Sequence, residues 1–132
     1  MDLDPVMIAA GLGCRHGVPA QAVIDLLQEA TVRAGRRPTL LAIPDFKRDE
    51  PGLLEAARWL DLTLLRVSHA ALRAEQPRCV TFSERAGEAV GVRSVAEACA
   101  LAAAGLHGRL ILNRMTRGGV TCAFALEDAD HQ

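Results

Sequence analysis

The residues best suited to chemistry gather in Gly11-Leu12-Gly13-Cys14-Arg15-His16-Gly17, where a thiol, a guanidinium and an imidazole stand among three glycines. A thiol near a helix N-terminus and beside Arg15 is in a setting that can lower its pKa, so Cys14 is a candidate nucleophile or metal ligand. A cysteine in a tight glycine segment can equally be there for its small size. His16 can serve as a general base near neutral pH, or can simply be solvated. Glycine amides leading into a helix start favour anions, which makes Gly11, Gly13, Cys14, Arg15 and His16 candidate ligand contacts. The bland alternative is a glycine loop that only turns the chain. A second cluster, Asp45-Phe46-Lys47-Arg48-Asp49-Glu50, holds the only lysine of the chain beside a carboxylate that opens a helix. Lys47 and Glu50 therefore join the candidate ligand contacts, and Glu50 joins Cys14 and His16 as a candidate catalytic group. Glu97 reads as a capping partner and little else, and His69 and Asp45 have no distinguishing motif.

Two kinds of site fit poorly. The dinucleotide fingerprint needs G-x-G-x-x-G, whereas Gly11, Gly13 and Gly17 give G-x-G-x-x-x-G. No H-x-x-x-H or C-x-x-C spacing occurs, and Cys14 and His16 could share a metal only with help from elsewhere. Neither a cofactor nor a metal is expected.

The elements that must position these residues alternate. Val6–Ala10 is a short apolar run stopped by glycine, as in a buried strand. From Pro19 the period becomes helical through Ala20, Val23, Ile24, Leu27 and Ala30, with Gly35 as the stop. Thr39–Ile43 is a second strand. Asp49 is placed to cap a helix through Leu53, Leu54, Ala57 and Leu60, with Pro51 in its first turn. Leu62–Val67 is a third strand, Ser68 caps a short helix from His69 to Arg73, and Cys79–Phe82 is a brief fourth strand. Ser94-Val95-Ala96-Glu97 is a capping box that opens an alanine-rich helix ending near Gly105. Arg109–Arg114 and Val120–Leu126 form a closing antiparallel hairpin joined by Met115–Gly119. The pattern predicts an α/β fold, a single-domain three-layer sandwich spanning residues 1–132 with its core at about 6–126. Its sheet is mixed and largely parallel. Ligands of such sheets sit beyond the carboxyl ends of the strands, where Gly11–Gly17, Asp45–Glu50 and Ser68-His69 should meet.

The bulk properties narrow the function. A net charge of -1 and few aromatics exclude an ordinary nucleic-acid platform. No apolar run reaches the roughly 18 residues of a membrane span. Four cysteines without paired spacing suggest reduced thiols in a cytoplasmic protein.

Four segments in order carry a family resemblance. GLGCRHG at 11–17 resembles the G-[IL]-G-C-[RK]-x-G opening of the CobE/CbiG C-terminal family of cobalamin (vitamin B12) biosynthesis. Ile43–Leu53 is similar to its second strand followed by a lysine and a glutamate. Gly91–Ala100 resembles its G-V-x-S-V-A-E-A-x-A stretch, and Val120–Ala125 its closing V-T-x-A-[IF]-A strand. Val18 departs from the Ser or Thr frequent after the first loop, and Asn113-Arg114 replaces a lysine before the last turn. The resemblance implies a protein of corrin-ring formation that binds a precorrin-type tetrapyrrole, as carrier or auxiliary enzyme. Related two-domain proteins open the precorrin-5A lactone, and only their C-terminal portion is matched. Such a ligand is ringed with carboxylates, which suits Arg15, His16, Lys47, Arg48, Arg114 and Arg117. The other reading is a small regulatory or scaffolding subunit that contacts other corrin-pathway enzymes without holding pigment.

Overall fold

The computed structural model describes residues 7–47, 49–80 and 94–127. Its elements are β1 (Ile8–Cys14), α1 (Ala20–Ala34), β2 (Leu40–Pro44), α2 (Pro51–Leu60), β3 (Thr63–Val67), α3 (His69–Ala74), α4 (Val95–Ala104), β4 (Arg109–Arg117) and β5 (Val120–Leu126). The strands form one sheet in the order β3-β2-β1-β5-β4. Parallel pairing joins β1 to β2 and β2 to β3, while β5 runs antiparallel to both β1 and β4. Four strands thus point one way and β5 alone opposes them. The expected mixed α/β sheet with a closing hairpin is what forms.

Strand β1 organises both faces. Ala10 and Leu12 point into the larger core with Val23, Leu26 and Leu27 of α1 and Leu53 and Ala56 of α2. The alternate residues meet α4. Register places Gly11 opposite Ala42 on one side and Ala123 on the other, a row of minimal side chains across three strands. A Cβ at Gly11 would collide with the Ala96 carbonyl oxygen and come within 2.5 Å of the Ala100 amide nitrogen. Helix α4 therefore lies backbone-on-strand, and it can do so because Ala96, Ala98, Ala100, Leu101 and Ala104 are buried around most of its circumference.

Several boundaries differ from expectation for clear reasons. Strand β1 does not stop at Gly11 but continues to Cys14, because β5 supplies a paired partner for every residue from Ile8 to Cys14. The first two glycines are thus strand residues and not a loop. Helix α2 is capped by Glu50 rather than Asp49, and Glu50 gives no side-chain cap bond. Of the expected strand at 79–82, Cys79 and Val80 have no strand conformation, and Thr81 and Phe82 lie outside the described residues. Strand β4 runs on to Arg117, leaving only Gly118-Gly119 as the turn. Both have positive φ, 63° and 83°, the geometry of a tight two-residue hairpin that glycine accommodates. Ser68 caps α3 as expected, its hydroxyl accepting from the Ala71 amide at 3.1 Å.

A side chain with no sequence motif secures the end of α4. The Arg78 guanidinium donates to the carbonyls of Leu101, Gly105, Leu106 and Gly108 at 2.7–3.4 Å, while Glu75 holds it at 2.7 Å. It neutralises the negative end of the helix dipole.

The two strand glycines should respond differently to a methyl group. Gly11→Ala should destabilise the fold by about 1–3 kcal/mol or more, because the obstacle is backbone. At Gly13 a Cβ would meet Thr121 and Val95 at 3.8–4.0 Å, ordinary contact. Gly13→Ala should hold or raise stability by up to about 1 kcal/mol. Urea denaturation of the two variants measures the difference.

Candidate functional site

Because β1, β2, β3 and β4 share a direction, their carboxyl ends gather at one rim with the Gly118-Gly119 turn. Cys14 pairs with Val120 there, and the Arg15 amide donates to the Gly119 carbonyl at 3.0 Å. The first turns of α1, α2 and α3 follow directly from these strand ends.

The centre of the rim is Glu50. Gly52, in the first turn of α2, has no side chain, and a Cβ there would strike the Val18 carbonyl oxygen. This close approach brings the start of α2 against the chain that follows β1. Glu50, 6% exposed, then turns its carboxylate toward that chain. Its Oε2 accepts from the Gly17 amide at 2.9 Å, and its Oε1 lies 3.3 Å from His16 Nδ1 and 3.9 Å from Lys47 Nζ. The Gly17 bond holds the carboxyl below its ordinary value of 4.5; partial burial opposes this, and His16 and Lys47 reinforce it. The structure thus joins three of the expected residues, His16, Lys47 and Glu50, into one cluster, with the Gly17 amide as a fourth member.

Arg15 lies across the hairpin turn. Its Nε would stand 2.6 Å from a Cβ at Gly119, so the bare second turn glycine, with its positive φ, lets this side chain lie where it does. Arg15 is exposed and makes no ion pair among the described residues. Arg117, by contrast, is engaged by Glu29 of α1 at 2.6 Å. Arg48 lies outside the described residues.

Cys14 departs from expectation. It closes a strand, six residues before α1 begins, and so does not sit in the first turn of that helix. Its half-buried side chain packs against the α1 core, and burial pushes the thiol pKa up; the Lys47 charge opposes this and the Glu50 charge adds to it. The setting raises the thiol instead of activating it. Gly11 also leaves the ligand set, since its backbone is committed to α4. Ser68 and His69 follow β3 on the same end, but Ser68 is spent on its cap. Among the described residues, no three His, Cys, Asp or Glu side chains cluster as metal ligands would.

Glu97 does more than the capping box predicts. Ser94 Oγ accepts from the Glu97 amide at 3.2 Å, completing half of the box. The carboxylate, fully buried, instead accepts from the Val80 amide through Oε1 at 2.9 Å and from the Arg114 amide through Oε2 at 3.0 Å. A register shift between Leu112 and Met115 takes the Arg114 N–H out of the ladder and aims it at Glu97. The irregularity in β4 carried no readable sequence signal.

Two outcomes test this wiring. Glu50 has a folded pKa below its unfolded one, so its stabilisation is complete above pH 4.5. It fades as pH falls toward the folded value and is gone below it. The Gly17 amide resonance should follow that titration, with a midpoint under 4.5. Glu97→Gln offers one acceptor to two N–H donors, and should cost about 2–3 kcal/mol in chemical denaturation.

Comparison with known proteins agrees with this architecture. The family described as cobalamin synthesis G C-terminus matches residues 8–125. Protein CobE of Sinorhizobium sp is 34% identical over 121 residues, covering 89% of this chain and 79% of that protein. The crystal structure of CobE, a protein from the cobalamin biosynthetic pathway, superposes with a TM-score of 0.87 at 34% identity, over 96% of this chain and 94% of that one. Cobalamin biosynthesis protein chiG from Agrobacterium tumefaciens gives a TM-score of 0.75 at 40% identity, over 90% and 97%. With most of its length matched by that family and by full-length relatives, the chain belongs to the cobalamin synthesis G C-terminus family and is a cobalamin biosynthesis protein of the CobE/CbiG type.

Proposed function

We propose that this protein binds a precorrin-type tetrapyrrole intermediate at the strand-end rim, as a carrier or an auxiliary enzyme of corrin-ring formation. The observation that carries the reading is the pairing of two exposed groups, Arg15 and His16, with a rigid carboxylate-anchored base beneath them. The His16 side chain is 91% exposed, and Arg15 has no acidic partner among the described residues. A guanidinium lying over a glycine turn, with no partner of its own among the described residues, offers a forked donor to a propionate or acetate of the macrocycle. The exposed Phe46 ring, beside Lys47 on the same rim, adds an apolar surface for a flat ligand. The thiols are free, which suits a reducing cytoplasm. Among the described residues no helix is long and apolar enough to cross a membrane.

The purified protein, mixed anaerobically with precorrin-2, should retain pigment through gel filtration and shift its visible spectrum. Arg15→Ala should weaken retention about two- to tenfold and reduce its salt dependence. Lys47→Ala should weaken it as well. Unchanged pigment retention in both variants would show that the rim is not the site. Recovery of another corrin-pathway enzyme without pigment would favour the scaffolding role.

A further inference from the structure

The Glu50–His16 pair has a polarity that the binding reading leaves unused. The carboxylate is nearly enclosed, with its side chain 5% exposed, whereas the imidazole bonded to it is 91% exposed. Gly17 and Lys47 keep Glu50 ionised at neutral pH, and an ionised carboxylate can only accept. The ring nitrogen facing it at 3.3 Å, Nδ1, must therefore carry the proton. A neutral imidazole protonated at Nδ1 has its lone pair on Nε2. With the ring this open, that lone pair is available to a ligand on the rim. Cys14 does not compete for the role, since its thiol is half-buried and held protonated.

We propose that His16 Nε2 is a general base toward the ligand bound at the rim, with Glu50 as the positioning residue that fixes its tautomer. The proposal rests on the tetrapyrrole reading, and it makes the protein an enzyme and not a passive carrier. The reaction is a tautomerisation of the reduced macrocycle. A C–H bond next to a ring C=N breaks, and its proton forms an N–H bond at Nε2. The electron pair moves into the C–C–N system, and the imidazolium returns the proton to the ring nitrogen. Nothing is oxidised or reduced, and no co-reactant is consumed. The imidazolium formed midway lies against the Glu50 carboxylate, which stabilises it where it appears.

Two measurements test this. In the ligand-free wild type at neutral pH, long-range 1H–15N correlation should show His16 with a protonated Nδ1 and a pyridine-like Nε2. A predominant Nε2–H form, which solvated imidazole prefers, would overturn the proposal without any variant. With saturating precorrin-2 in D2O, the wild type should speed deuterium entry into carbon-bound positions at least tenfold over protein-free solution. His16→Gln should abolish that gain at saturation, and added imidazole should restore part of it in His16→Gly. Glu50→Ala should reduce it with His16 shifted toward the Nε2–H form. If precorrin-2 is retained but exchanges no faster than in buffer, the base assignment fails and the binding reading stands. If it is not retained at all, the binding reading itself fails.

Discussion

The close seating of α4 on β1 is the constraint from which the rest of the structure follows. It requires a row of side chains no larger than a methyl group, Ala42, Gly11 and Ala123, beneath a helix that is itself largely alanine. Small-on-small packing brings the helix backbone to the sheet and gives the second layer its depth, since close contact recovers the dispersion energy that small side chains cannot supply by area. It also fixes the axial position of α4, and with it Glu97. From there the buried carboxylate reaches Val80 on one side and the irregular stretch of β4 on the other. One missing side chain in β1 thereby sets the place of an edge strand two positions away in the sheet.

The same device recurs at the rim. Gly52 lets the start of α2 approach the Val18 carbonyl, and a buried glutamate next to that contact, Glu50, ties down a neighbouring backbone amide. In both places a glycine creates proximity and a carboxylate converts it into a fixed geometry by accepting from main-chain N–H groups. The two differ in what surrounds the acid. Glu97 has 0% exposure, so its carboxylate belongs to the fold. Glu50 is bounded on one side by Lys47 and by an imidazole open to solvent, so its orientation is transmitted to an exposed side chain.

Element types and order were legible in the sequence because hydrophobic period and capping residues act locally. The helix face Val23, Ile24, Leu27 and Ala30, the Ser68 cap and the Gly35 stop all form as the pattern implies. The bringing together of His16, Lys47 and Glu50 was legible from the rule for strand ends. What was illegible depends on partners remote in sequence. Gly11 and Gly13 look like a loop because glycine ends strands in isolation, and only pairing with β5 carries β1 through them. Glu97 looks like a capping residue because S-x-x-E is a local motif, while its real acceptor role is to amides 17 residues away in either direction. Arg78 carries no motif, since four carbonyls converge on it only after α4 and the following turn are in place.

Strand alternation also decides which residues of the first segment are left for a ligand. Leu12 and Cys14 point to the α1 core, and Gly11 and Gly13 to α4, so every residue up to position 14 is claimed by one layer or the other. The burial that makes Cys14 part of the core keeps its thiol protonated, and a protonated thiol is a poor nucleophile. Arg15 and His16 are the first residues beyond the ladder, and both are exposed. Their backbone is nevertheless fixed at two points, by the Arg15 amide on Gly119 and the Gly17 amide on Glu50. Fixed backbone and free side chains at the end of a buried strand are the conditions under which two consecutive residues can hold a ligand without costing the fold its core. Gly11 and Gly13 serve the packing, and the side chains that the segment leaves open to solvent are those of the two residues after the ladder.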